Sequence, residues 1–148
     1  MQRKIVPNVV ARKQVTTIVV EDTAFQAAKL MANKHIAALV VVDGESKIIG
    51  IVTERDMTQR VIAAGLDGKT TPVKHIMTEN PDTLSPEDSA GDALELMQTR
   101  NYRHLPVTED RKCIAVVSIR DLYASVKEAL EEDIRETEAF VFGDRYGA

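Results

Sequence analysis

Two short segments of this 148-residue chain hold residue types at a spacing that could do chemistry, Thr53-Glu54-Arg55-Asp56 and Ser118-Ile119-Arg120-Asp121. In each, a hydroxyl stands three residues before a carboxylate. Apolar runs precede both, IIGIV (48–52) and CIAVV (113–117), so each segment reads as the step from a strand into a helix. A helix start leaves backbone N–H groups unpaired and favours anions. There the carboxylate could accept hydrogen bonds from both hydroxyls of a ribose, while Thr53 or Ser118 donates to ribose or phosphate. The same spacing is also a capping box, in which the side chains serve only their own helix. Both readings stand at this point, and they are compatible if the carboxylate caps the helix when no ligand is present. Arg55 and Arg120 are further candidates for an anion, or equally solvated helix-start residues.

The other reactive residue types form no constellation. His35, His75 and His104 show no metal-ligand spacing, and His35 and His75 read as surface or subunit-contact residues. Cys113, the only cysteine, falls in an apolar run and reads as a small buried residue rather than a nucleophile.

An internal repeat must position the two segments. Residues 18–31 (IVVEDTAFQAAKLM) lie over 84–97 (LSPEDSAGDALELM) at an offset of 66, and 48–56 over 113–121 at an offset of 65. Between 17 and 61 the copies share fifteen identities, nine at the first offset and six at the second. Each copy reads β-α-β-β-α. A β segment (Val15–Val20; Thr83–Leu84) leads to an N-cap at Asp22-Thr23 or Asp88-Ser89. In the second copy Ala90, Ala93, Leu94 and Met97 then give helical periodicity. AALVVVD (37–43) or HLPVTED (104–110) forms a hairpin with the strand that follows. A second helix starts near Arg55 and Arg120. GLDGKTT (65–71) before Pro72 is the linker. One unit of roughly 50 residues exposes too much apolar sheet to stand alone, so the two copies should pack face to face.

The segments GIVTERD (50–56), VVSIRD (116–121), HIMTENPDTLSPEDS (75–89) and RHLPV (103–107) resemble a CBS-domain pair, or Bateman module, over roughly residues 9–127. The likeness is greatest to stand-alone bacterial CBS-pair proteins. It implies a mixed α/β fold of two tandem repeats related by a pseudo-twofold axis, with a C-terminal helical tail. The expected divisions are a basic arm (1–8), repeat 1 (9–66), a linker (67–74), repeat 2 (75–127) and the tail (128–148). The resemblance also implies two ligand sites between the repeats, each joining one Thr/Ser-x-x-Asp loop to the first strand and pre-proline segment of the other copy. Thr53 and Asp56 would share a site with Thr83, Leu84, Tyr102, Arg103, His104 and Pro106. Ser118 and Asp121 would share one with Thr17, Ile18, Ile36, Ala37 and Ala38. Val40 stands where the family often has proline. Arg103 and His104 are candidate phosphate partners, whereas alanines match them in the other copy, so the Asp56 site is expected to favour phosphorylated ligand.

Composition narrows the function classes. With 19 Lys+Arg against 23 Asp+Glu the formal charge is −4, which argues against bulk nucleic-acid binding. Aromatics make up 4% and Trp is absent, so the core must be aliphatic and base-stacking platforms are not expected. No apolar run approaches a membrane span of ~18 residues, and MQRKIVPNVVARK has no signal-peptide core. One cysteine fits a reducing, cytoplasmic compartment. Residues 1–13 carry four bases and no acid, and residues 127–148 carry three bases and seven acids. The ends could pair, within a chain or across a dimer, or simply be solvated. Val126, Leu130 and Ile134 form one stripe on the tail helix, and Phe140, Phe142 and Tyr146 follow it. The tail either folds onto its own domain or makes a dimer contact. A (β/α)₈ barrel of ~250 residues does not fit, and no nucleophile–base pair is visible. No enzyme activity and no catalytic cofactor are expected, even though the family occurs inside IMP dehydrogenase. The resemblance implies instead a regulatory module that senses AMP, ADP, ATP or NAD(H) through a homodimer and an effector protein. The alternative is a structural dimer with vestigial sites.

Overall fold

The structure is a computed structural model and describes residues 3–145, with side chains through residue 142. Tyr146 therefore lies outside the described residues. Repeat 1 runs β1 (Thr17–Ile18), α1 (Ala24–Lys34), β2 (Ala38–Val42), β3 (Ile48–Thr53) and α2. Helix α2 opens at Glu54–Asp56 and continues with wider turns over Met57–Ile62. A helical turn at Val73–His75 leads to β4 (Thr78–Glu79). Repeat 2 holds α3 (Ala90–Arg100), β5 (His104–Glu109), β6 (Lys112–Ser118) and the long α4 (Ile119–Arg145). The expected first strands shrink, to Thr17–Ile18 in one copy and to a single bridge from Leu84 to Val107 in the other.

Local chemistry explains the matching helices. Thr23 caps α1 in a box with Gln26, and the Ser89 side chain accepts from the Asp92 N–H at α3. His35 (φ 55°) and Asn101 (φ 58°) end the two helices in the left-handed region, a common helix stop that Asn tolerates. Ala24, Ala27 and Met31 bury one face of α1, and Ala90, Ala93 and Met97 the same face of α3. The first sheet is ordered β1-β2-β3-β4, with β1 parallel to β2 and the other pairs antiparallel. The second sheet pairs β5 with β6.

Each repeat has its own aliphatic core. A third cluster joins them: Val40, Val42 and Ile48 pack against Val15, Cys113 and Val116. The Ile48 N–H also donates to the Arg111 carbonyl at 2.9 Å. The copies thus pack face to face. Val40 is fully buried in this seam, which gives the residue at the family's proline position a packing role.

The basic arm is anchored, although Lys4, Arg12 and Lys13 are exposed. Ile5 is fully buried in the core of repeat 2, and the Ala90 N–H at the start of α3 donates to the Arg3 carbonyl at 2.7 Å. Arg3 pairs with Glu132 at 2.8 Å and Glu128 at 3.8 Å, Lys4 with Glu87, and Arg12 bidentately with Glu109. The ends of the chain pair with each other intramolecularly through Arg3. Exposed pairs contribute little, so Ile5 is the anchor. Truncating it should cost about 2–5 kcal/mol, as for other buried aliphatic truncations. Urea unfolding of Ile5→Ala checks this, against Lys4→Ala, which should change stability by less than about 1 kcal/mol.

Candidate functional site

Strand β3 ends at Thr53 and strand β6 at Ser118, and each runs directly into a helix start. The Thr53 N–H donates to Asp56 Oδ2 at 2.9 Å, and the Asp56 N–H to Thr53 Oγ1 at 3.4 Å. The Ser118 N–H donates to Asp121 Oδ2 at 2.9 Å, and the Asp121 N–H to Ser118 Oγ at 3.1 Å. Both segments are therefore capping boxes. In both, one carboxylate oxygen serves the backbone and fixes the side-chain rotamer. Asp56 Oδ1 lies 3.5 Å from Arg60 Nε, and Asp56 is 8% exposed. The Glu54 N–H donates to the Ala37 carbonyl, and the Ile119 N–H to the Arg103 carbonyl, which ties each loop to the start of the central strand in its own copy.

Each loop borders a cleft between the repeats. The first cleft, about 340 Å³, brings Thr53, Arg55 and Asp56 together with Tyr102, Arg103 and His104. The second, about 660 Å³, brings Ser118, Arg120 and Asp121 together with Ile36, Ala37 and Ala38. Both volumes fall in the range of small-ligand sites. Thr83, Leu84, Thr17, Ile18 and Pro106 stand outside both linings. Leu84 and Pro106 are buried, hydrogen-bonded to each other through the Leu84 N–H and the Pro106 carbonyl. Ile18 is buried in the core of repeat 1, and Thr17 is exposed. In their place stand residues one or two positions earlier, Val15 and Thr16 in the second cleft and Pro81 and Asp82 in the first. The offset of 66 relates these pairs. No motif marked them; they lie just before Thr17–Ile18 and Thr83–Leu84 in the chain. Gln59, Arg60, Arg100, Lys13 and Gln14 also line the clefts and carried no motif.

Two expectations change in detail. Arg103 and His104 border both clefts, so their position gives no preference for the Asp56 site. Arg55 is no free helix-start cation: its Nη1 donates to the Asn101 carbonyl at 2.9 Å, at the C-terminal end of α3 where a cation is favoured. Arg120 is exposed. Cys113 Sγ lies 3.1 Å from the Ala115 carbonyl, and burial pushes its thiol up, away from thiolate chemistry. Among the described residues no cluster of three metal-ligating side chains occurs, and no helix is long and apolar enough to cross a membrane.

Burial holds His104 below the usual histidine range. Arg103 and Arg55 act in the same direction, while Glu54 and Asp121 favour its charged form. The unfolded chain therefore takes up this proton more readily than the folded one. The stability linked to His104 is complete above the unfolded value, about 6.5, and is lost as pH falls below it. Melting temperature should drop between about pH 7.5 and 5.5 in the parent chain and drop less in His104→Gln. Parallel curves would show that His104 carries none of the decline.

The CBS domain family matches residues 8–63 and 73–128. CBS domain-containing protein CBSX3, mitochondrial, of Arabidopsis thaliana is 37% identical over 127 residues, which span 83% of this chain and 62% of that protein. A solved protein with CBS domains from Burkholderia ambifaria superposes with a TM-score of 0.78 at 38% identity, over 84% of this chain and 93% of the other. The CBS domain pair of protein MJ0100, solved with 5′-methylthioadenosine and S-adenosyl-L-methionine, shares the fold at 22% identity, with a TM-score of 0.75 over 87% of this chain and 99% of that one. Two family matches in tandem, two pseudo-equivalent capping-box loops and two clefts between the copies agree: this chain belongs to the CBS-domain family, as a CBS pair.

Proposed function

We propose that the chain is a non-catalytic regulatory module that binds an adenosine ligand (AMP, ADP, ATP or NAD(H)) between its repeats and signals to an effector protein through the shape of a homodimer. One observation carries this reading. Each cleft sets a fixed carboxylate at a helix start against the lead-in segment of the other copy. The carboxylate oxygen not used by the cap is the natural acceptor for ribose hydroxyls, and its rotamer is already set, so little entropy is lost on binding. Arg103 and His104 are the candidate phosphate partners on the wall between the clefts. MJ0100 binds adenosyl compounds in the same fold, which supports an adenosine ligand here. The lone cysteine supports a cytoplasmic location.

The dimer reading rests on α4. Leu122 is buried and Val126 packs on the core of repeat 2. Leu130, Ile134 and Phe140, further along, are 58%, 56% and 73% exposed. The described part of the tail touches its own chain through Arg3 and the Glu128 and Glu132 carboxylates, and the exposed apolar stripe beyond is the surface a second copy would cover. A second reading, a structural dimer with vestigial sites, is favoured by the caps themselves. The carboxylates of Asp56 and Asp121 already have backbone partners without ligand.

Calorimetry and thermal shift with adenine nucleotides separate the two. Micromolar binding is expected, with an affinity loss of at least about tenfold in Asp56→Asn, which keeps an acceptor for the cap but loses charge-assisted hydrogen bonds worth roughly 1.5–3 kcal/mol. No heat and no shift with any adenine nucleotide would leave the structural dimer. Leu130→Glu with Ile134→Glu should give a folded monomer by analytical ultracentrifugation at concentrations where the parent chain is a dimer.

A further inference from the structure

Two surfaces of the chain are exposed and apolar, and they carry opposite charge. The first is on the tail. At 3.6 residues per turn Leu130, Ile134 and Val141 fall on one side of α4, and all three are exposed. Glu131 and Glu138 flank that stripe. Residues 127–142 hold six acids against two bases. Arg3 answers Glu128 and Glu132, but Glu136 and Glu138 make no ion pair among the described residues. The second surface is on repeat 1, where the end of α2 and the linker meet the start of α1. Phe25, Ile62 and Leu66 are exposed there, Ile62 at 75%. The Phe25 N–H donates to the Gly68 carbonyl at 2.9 Å, and the Leu66 N–H to the Val61 carbonyl at 2.9 Å. Lys69 Nζ stands 5.3 Å from the centroid of the Phe25 ring. Helix α1 carries Lys29 and Lys34 and no acid. Asp67, the acid of the linker, turns its carboxylate to the Lys69 N–H at 2.9 Å. The fold does not require this surface: repeat 2 has Gly91, Glu95, Lys127 and Glu131 at the positions of Phe25, Lys29, Ile62 and Leu66.

Exposed apolar groups gathered in one place mark an interaction surface, and charge decides what fits each. Tail on tail would set acid against acid, and repeat 1 on repeat 1 would set base against base. Tail on repeat 1 joins opposite charges around two apolar stripes. The lengths agree as well, since α1 and the stripe from Leu130 to Val141 each run roughly 15–17 Å. Both surfaces are exposed in the same chain, so neither covers the other within it. We propose that in the homodimer the α4 tail of each copy lies on the Phe25, Ile62 and Leu66 surface of the other. A twofold axis makes this contact twice and closes the pair. The inference rests on the homodimer reading and adds the surface that the tail covers. It also gives the clefts a route to each other. Helix α4 starts at the Ser118–Asp121 loop of the second cleft, and α2, which ends at Ile62, starts at the Thr53–Asp56 loop of the first. Each tail then connects the second cleft of its own chain to the first cleft of the partner.

The test exchanges charge between the two surfaces in the full chain. One variant, Lys29→Glu with Lys69→Glu, makes the repeat 1 surface acidic. The other, Glu131→Lys with Glu138→Lys, makes the tail basic. All four residues are exposed, so both variants should melt within a few degrees of the parent, which confirms that they fold. Analytical ultracentrifugation at low salt should show each variant alone dimerising at least about tenfold more weakly than the parent, because both of its contacts then oppose like charges. An equimolar mixture of the two should dimerise within about threefold of the parent. In the mixed pair the acidic surface meets the basic tail, and the other contact is that of the parent. The parent dimer should itself weaken as salt is raised. A dimer unchanged in the Lys29→Glu, Lys69→Glu chain overturns the inference and leaves the homodimer standing, with its tails meeting elsewhere. A mixture no tighter than the variants alone overturns it as well. A parent chain that is monomeric throughout overturns both the inference and the homodimer reading.

Discussion

The structure depends on an exchange: each repeat is completed by the segment that leads into the other. The Ala90 N–H at the start of α3 is met by the Arg3 carbonyl, and the Ala24 N–H at the start of α1 by the Thr71 carbonyl. The Ile5 N–H donates to the Asp88 carbonyl and the Val73 N–H to the Asp22 carbonyl. The Val6 N–H donates to the Pro86 carbonyl and the Lys74 N–H to the Val20 carbonyl. Further along, Lys13 bonds the Ile114 carbonyl on β6 and Asn80 bonds the Ile49 carbonyl on β3. Ile5 and Val73 are each fully buried in the core so completed. These bonds pair helix-start and sheet-edge groups that would otherwise lie open.

The clefts follow from that exchange. A lead-in that begins on one copy and ends in the core of the other must cross between them, and it crosses beside the capping-box loops. Residues 13–16 pass the second cleft, and Thr78, Pro81 and Asp82 pass the first. The seam of Val40, Val42 and Ile48 against Val15, Cys113 and Val116 sets the separation of the two sheets. Cavity formation in that seam would move both clefts together, because packed interiors transmit strain. The capping boxes serve this geometry as well, since they fix where each helix begins.

Much of this was legible in the residues. The repeat gave the order of elements, the cap signals at Asp22-Thr23 and Asp88-Ser89, and the two Thr/Ser-x-x-Asp loops. Helical periodicity gave the face of α3 that buries Ala90, Ala93 and Met97. The exchange was not legible. The arm and the linker align at an offset of 68 rather than 65 or 66, and Arg3, Ile5 and Val6 share no identity with Thr71, Val73 and Lys74. Backbone hydrogen bonds make the correspondence, and backbone groups leave no mark in a sequence. The same reason moved the cleft linings. Thr17, Ile18, Thr83 and Leu84 were the visible strand residues, but Ile18 and Leu84 turn into the cores and are lost to the clefts. The charge of the arm left pairing and solvation both open, and nothing in it marked Ile5 as buried.

The two lead-ins are not equal in what else they hold. The first carries Arg3, only 15% exposed at its side chain, which pairs with Glu132 and Glu128 on α4. That same segment goes on to line the second cleft with Lys13, Gln14, Val15 and Thr16. The second lead-in has no helix tail to grip, because α2 ends at Ile62 and the chain turns into the linker. The tail, on which Leu130, Ile134 and Phe140 are exposed, is therefore braced by a segment that one cleft shares and the other does not. A ligand can shift a dimer only by binding its two shapes with different affinity. On the regulatory reading, the second cleft is placed to do so through the arm.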